Sequence, residues 1–306
     1  MANEPLRILT AFHSPFYAPV YIAQRLGLFA EEGLEVTIAT PEPGKTVDAL
    51  ASGDADIALS GVMRAHVRAD QPDPQRFLAI AEVNSRDGFF LLSRTPVGEF
   101  HWDDLAGKRL ILFAEAPTPW MCLQDVLRRA GVDKERITLI PGLPVPQAID
   151  TLLAGDGDYL QAAQPMAEEL IEDGRAYLAA AMAPAVGQVP FSSLVVTAEF
   201  RDRRPDLCER AVKVLARVQR WMAAEDPARI AEVIAPNFPA IRPEILRKVV
   251  TRYHAAGTWP AHPLQDRDAF ERFARMLVEG GLVRRTVPFE AVADNTFAEA
   301  AMAALA

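Results

Sequence analysis

The sequence predicts an α/β protein made of two βαβ lobes that face each other across a ligand cleft, with a C-terminal helical segment on the first lobe. Three observations predict this. Residues 48–59 (DALASGDADIAL) and 150–161 (DTLLAGDGDYLQ) form an internal repeat that shares Asp48/Asp150, Leu50/Leu152, Gly53/Gly155, Asp54/Asp156 and Asp56/Asp158 at one constant offset. The flanking elements repeat in the same order, β-loop-α-β-loop-α-β, an alternation that builds parallel sheets covered by helices on both faces. Beyond Pro205 the strand pattern stops and helical periodicity takes over.

The elements follow in order. LRILT is a strand, and PVYIAQRLG after it is a helix, with Pro19 in the first turn and Gly27 where a left-handed residue ends it. VTI at 36–38 is the second strand. The loop PEPG leads into a helix that opens at Gly44, Lys45 and Thr46, and the strand ADIAL ends at Ser60 and Gly61. The second half repeats this with RLILF, then PWMCLQDVLRRAG, whose last turn carries Arg128 and Arg129 against the helix dipole, then ITLI at 137–140 and GDYLQ. The chain crosses between lobes at 81–94 and again at 189–200. Lobe one is therefore expected at 1–92 and 193–306, and lobe two at 93–192. The tail reads as four helices, DLCERAVKVLARVQRWMAAE, DPARIAEVIAP, RPEILRKVVTRYHAAG and DAFERFARMLVEGG.

Composition narrows the function. The 306 residues are 50% hydrophobic and 24% charged, with a mean hydropathy of +0.04, enough apolar mass for a sizeable core. Charged residues or prolines interrupt every apolar run before the roughly 18 residues a membrane-spanning helix needs. A net charge of −9 and a pI near 5.2 argue against a nucleic-acid surface. Cys122 and Cys208 stand alone, without the spacing of a zinc or redox site, and no metal or other cofactor is expected. The opening MANEPLRILT has no basic and apolar secretory pattern, so the chain is expected to be cytoplasmic as written, or periplasmic if a leader has been removed.

Candidate ligand residues sit where strands end and helices begin, at the carboxyl edges of the sheets. Phe12, His13, Ser14 and Tyr17 follow the first strand, so rings could stack on a flat ligand while Ser14 bonds it. Gly44 and Lys45 bring helix N–H groups and a positive charge; the fragment GKT is not a phosphate-binding loop, because Ala39 stands where that motif needs glycine. Ser60 and Gly61 permit close approach to the backbone. In lobe two the matching positions are Glu115, Thr118, Trp120, Gln161 and Gln164. Glu82 and Asn84 at the first crossing, and Ser192 and Ser193 at the second, are expected to line the cleft floor. The repeated GDxD is expected to be a structural turn rather than an acid–base or metal pair. Hydrolase, metalloprotease, nucleotide-hydrolase and dinucleotide motifs are absent from the sequence, and no residue is expected to be catalytic.

FHSPFYAPVYIAQRLGLFAEEGLEVTI, SGDADIALSG, DDLAGKRL and VPFEAVADNTFAEAAM together resemble the substrate-binding proteins of nitrate, taurine, sulfonate and pyrimidine ABC transporters, with the thiamine-pyrimidine synthases as relatives on the same fold. The resemblance implies the type II periplasmic-binding-protein fold, closure of two lobes on a small molecule, an ABC permease as partner, and usually no chemistry. It also implies a departure from the synthases: their reactive lysine position is Ser60 here, and their cysteine-rich signature has no counterpart. The leading expectation is a solute-binding protein for a heterocyclic, sulfonate or aromatic carboxylate ligand, with Lys45, Arg64 and Arg86 as cations for the acidic options. The alternatives are a cytoplasmic enzyme on this scaffold, of synthase or aromatic-acid decarboxylase type, or the sensing module of a regulator, although no DNA-binding helix-turn-helix precedes the first strand.

Overall fold

The computed structural model describes residues 3–42, 44–72 and 74–305; Pro43 of the PEPG loop lies outside them. Two five-stranded mixed sheets organise the chain. The first has the order β2-β1-β3-β10-β4, from β1 (Glu4–Thr10), β2 (Leu34–Ala39), β3 (Ile57–Gly61), β4 (Phe77–Arg86) and β10 (Gln188–Thr197). The second has the order β7-β6-β8-β5-β9, from β5 (Phe90–Ser93), β6 (Arg109–Ile111), β7 (Thr138–Ile140), β8 (Tyr159–Ala162) and β9 (Tyr177–Ala181). In each sheet the three βαβ strands are parallel, and the fourth, antiparallel strand is one on which the chain arrives from the other sheet. This is the two-lobed α/β arrangement that the alternation predicts, and the periplasmic-binding-protein fold that the resemblance implies.

The internal repeat has a physical cause that is the same in both halves. The Arg7 guanidinium is held by Asp56 at 2.9 and 3.1 Å and by the Gly53 carbonyl at 2.7 Å, while the Arg7 N–H donates to Asp56 at 2.8 Å. Arg109 repeats this with Asp158 at 2.8 and 3.1 Å, the Gly155 carbonyl at 2.7 Å, and its own N–H on Asp158 at 2.8 Å. Each GDxD turn thus locks the start of β3 or β8 to β1 or β6, the middle one of the three parallel strands in its sheet. Both pairs are partly solvated, so they set register more than they add stability.

The expected lobe boundaries at 92/93 and 192/193 fall inside β5 and β10. By hydrogen bonding the chain leaves the first sheet after Arg86, joins the second at Phe90, and returns between Ala181 and Gln188. The first crossing lies within the expected 81–94, whereas the second comes earlier than the expected 189–200, because a run of apolar residues does not reveal which sheet it pairs with. Beyond Thr197 the chain is helical: Pro205–Ala224, Pro227–Ile234, Pro243–Ala255, Arg267–Glu279 and Thr296–Leu305. Pro205–Ala224 packs on the first-lobe helix Ala18–Arg25 and on Thr296–Leu305. The outer edge of β4, which would otherwise invite strand pairing, is covered by this tail: Glu82 and Ser85 donate to the Pro263 and Thr258 carbonyls at 2.8 and 3.0 Å, and Asp294 donates to Ala79 at 2.9 Å. Among the described residues no helix is long and apolar enough to cross a membrane.

Gly88, in the first crossing, faces the ring of Phe16. A Cβ there would overlap the Phe16 ring, so Gly88→Ala has to displace a core aromatic. The expected cost is about 1–3 kcal/mol, read as a lower urea midpoint; an unchanged midpoint would mean that the Phe16 ring yields freely.

Candidate functional site

A cavity of about 210 Å³ lies between the carboxyl ends of the two sheets. Its size is below the roughly 300–1,000 Å³ of drug-sized pockets, which suits a molecule of one ring or a short chain. The first-lobe turn Pro15–Tyr17 enters it because Ser14, extended at φ −144°, accepts the Phe16 N–H at 3.2 Å and so bends the chain out of β1. Most of the wall is apolar, and aromatic rings make up a large part of it. Phe12 meets Phe113 of the second lobe edge-on at 6.0 Å, Phe113 meets Phe89 at 4.8 Å, and Phe16 packs on Phe191 and Tyr253, both at 5.5 Å.

The lobes touch across this space. The Ser14 hydroxyl donates to the Gln164 carbonyl at 3.4 Å, and a Cβ added to Gly61 would sit 3.4 Å from the Thr118 hydroxyl. The structure is therefore that of a closed cleft.

Polar groups gather where β3 ends and the second-lobe helix Thr118–Arg129 begins. The hydroxyls of Ser60 and Thr118 are buried, and among the described residues neither has a hydrogen-bond partner. Tyr17 is buried beside the Ser192 hydroxyl, and burial raises its phenol pKa. Arg64 lines the same cavity half-buried, and burial lowers its pKa. Among the described residues no hydrogen bond or ion pair holds its guanidinium, unlike that of Arg7 or Arg109. The other acid–base groups of the wall are Glu115 and Tyr253, whose pKa values burial raises, and His13. Both His13 nitrogens are engaged, with the Tyr21 hydroxyl at 3.2 Å and the Asn237 carbonyl at 2.9 Å. A carbonyl can only accept, so the Asn237 contact makes that ring nitrogen the donor.

Of the residues expected from sequence, Phe12, His13, Ser14, Tyr17, Ser60, Gly61, Glu115, Thr118, Gln164 and Ser192 line the cavity. Five lie elsewhere. Gly44 and Lys45 form an exposed helix start, with Lys45 3.4 Å from Asp48. Trp120 is turned about 200° around its helix from Thr118 and packs half-buried on the core. Gln161 sits one layer behind the wall, donating to the Pro119 carbonyl at 2.8 Å. Glu82 is buried within β4 under Pro205–Ala224, where Gln219 donates to its backbone carbonyl at 2.7 Å. Asn84, also expected on the floor, donates instead to the Phe16 carbonyl at 2.9 Å. Sequence reasoning missed Phe89, Phe113, Phe191 and Tyr253 as wall residues. The first three sit in apolar runs that read as ordinary strands, and Tyr253 arrives from a helix far along the chain.

Residues 14–229 match the family model described as NMT1/THI5 like. The chain belongs to that family. It is similar to "Putative binding protein YtlA" of Bacillus subtilis, at 26% identity over 296 residues, 96% of this chain and 89% of YtlA. It is also similar to the 4-amino-5-hydroxymethyl-2-methylpyrimidine phosphate synthase of Legionella pneumophila, at 21% over 250 residues, 80% of this chain and 77% of that enzyme. Among solved structures, the ligand-binding component of an ABC-type import system from Staphylococcus aureus superposes with a TM-score of 0.79 at 11% identity, covering 98% of this chain and 99% of that one. The alkanesulfonate-binding protein SsuA of Xanthomonas axonopodis, bound to MOPS, does so with a TM-score of 0.75 at 17% identity, covering 97% and 100%. At these identities the superpositions establish the fold.

Proposed function

We propose that this protein captures a small amphipathic anion, an aromatic or short-chain sulfonate or carboxylate, by closure of its two lobes, and presents it to the permease of an ABC importer. The observation that carries this reading is an Arg64 guanidinium and Ser60 and Thr118 hydroxyls, none of them engaged among the described residues, in the wall of one largely apolar cavity. Hydroxyls and a guanidinium are donors suited to an oxyanion, and the N-terminus of Thr118–Arg129 adds a favourable dipole. The apolar remainder suits a ring or chain. The fold shared with the import component and the sulfonate-binding protein supports the transport role, and the name of YtlA agrees with binding.

Binding without chemistry is supported by the same geometry. Ser14 donates to a carbonyl, and the neighbouring His13 has both nitrogens engaged, so this loop holds no nucleophile activated by a base. The test is a thermal-shift panel of benzenesulfonate, benzoate, taurine, nitrate and 4-amino-5-hydroxymethyl-2-methylpyrimidine. An organic anion at about 100 times its dissociation constant should stabilise the fold by about 2.7 kcal/mol, a shift of a few degrees. Mass spectrometry should return it unchanged. A response confined to the neutral pyrimidine, or a converted product, would defeat the reading.

A further inference from the structure

The turn that carries Gln164 to the cavity is gripped from outside the second lobe. Its amide is held at both ends by Glu168: Oε1 accepts the Glu168 N–H at 3.0 Å, and Nε2 donates to the carboxylate at 3.3 Å. Glu168 is itself buried, and Arg252 meets it as a two-pronged partner, Nε at 2.7 Å and Nη2 at 3.0 Å, while the guanidinium lies 5.8 Å from the centre of the Phe90 ring. The two charges come from different bodies. Glu168 is on the second-lobe helix Met166–Glu172, whereas Arg252 is on Pro243–Ala255, which packs against the first-lobe turn Pro15–Tyr17. The next residue, Tyr253, forms cavity wall, and its phenol lies against the backbone of Gln164, whose carbonyl accepts from Ser14.

We propose that Glu168 and Arg252 are positioning residues that latch the closed cleft: the pair orients Gln164 in the ligand site and ties the second lobe to the first, and so sets how long a captured ligand stays. This rests on the ligand-capture reading above. The physical reason is burial. The same helix junction carries two further ion pairs, Lys248–Glu172 at 2.5 Å and Arg242–Asp173 at 2.8 Å, but their side chains are a third to a half exposed and water screens them. Glu168 is almost wholly enclosed, so opening the cleft must either expose the pair to water or strand a charge. Breaking a buried partner of this kind acts on dissociation more than on association.

The experiment measures benzenesulfonate release by stopped flow in the full chain, with Glu168→Gln and the milder Arg252→Lys, and Arg242→Ala as the exposed-pair control. Release should speed at least tenfold in Glu168→Gln and less in Arg252→Lys, with association changed under twofold and Arg242→Ala like the parent. In parallel, spin labels on Glu35→Cys and Glu135→Cys report the distance between lobes without ligand. Both latch variants should shift that distribution toward open forms. A lowered melting temperature with unchanged release and unchanged distances would overturn the latch and leave a merely structural pair. If the parent fails to bind benzenesulfonate, the capture reading fails for that ligand, and the label distances alone still decide whether the pair holds the lobes.

Discussion

Arg64→Met should lower affinity for benzenesulfonate or benzoate by about 100-fold or more while leaving the fold intact. The guanidinium is half-buried, and among the described residues it has no partner in the closed cleft, so its removal strands no protein carboxylate. The loss falls on the ligand. A hydrogen bond to a charged group contributes about 1.5–3 kcal/mol, and truncating one side of a desolvated charge pair costs about 2–5 kcal/mol, which together set the expected size. Methionine replaces the aliphatic stem of the arginine against the cavity wall, so the change removes chiefly the charged head. Neutral ligands of the same shape, such as benzamide, should bind the variant at least as well as the parent. Calorimetry on both ligands decides the matter; equal losses for benzoate and benzamide would show that Arg64 shapes the wall rather than reading charge.

The second large effect is on stability against pH, and it arises at the lobe crossing. Asp87 is buried there beside the Cys122 thiol, its Oδ1 accepting the Phe89 N–H at 2.8 Å, and burial pushes its pKa from the usual 3.8 to about 7. Glu82, five residues earlier in β4, has neither carboxylate oxygen partnered among the described residues; burial, and secondarily the charge of Asp266, raise its pKa well above the ordinary value. Both folded-state values lie above those of the unfolded chain. The contribution of Asp87 is therefore complete below about pH 4 and is lost as pH rises through about 7, and Glu82 acts in the same direction. For Asp87 alone the loss is on the order of 4 kcal/mol by pH 8. Asp87→Asn keeps an oxygen for the Phe89 N–H and removes the ionisation. Its urea midpoint should stay flatter between pH 5 and 8 and exceed that of the parent at pH 8. A variant profile that runs parallel to the parent's would place the pH dependence on other groups.

Much of the fold was legible because it rests on local chemistry. The offset repeat of GDxD corresponds to two matching arginine locks, Arg7 on Asp56 and Arg109 on Asp158, and the alternation of strands with Pro-opened helices leaves few topologies other than two parallel-centred sheets. The cavity loops were legible for a similar reason. Phe12 to Tyr17, Ser60 and Thr118 sit at strand ends or helix starts, and in a parallel sheet every such point opens on the same edge.

Trp120, Lys45 and Glu82 show where that logic stops. Whether a residue at a helix start faces the cleft depends on helix rotation, and whether a strand residue faces the floor depends on which neighbours cover it; neither is written in spacing. The same limit hides Phe89, Phe191 and Tyr253, whose places in the wall follow only once two distant strands and a C-terminal helix meet at Phe16. The lone sequence determined the architecture and the end of each sheet at which a ligand would enter, because strand order and helix termini follow from short-range patterns. Tertiary structure alone decided which cation stands free in the cavity and which carboxylate is locked to an arginine across the lobes, because charge partners separated by many residues are chosen by packing, which alone sets burial and distance.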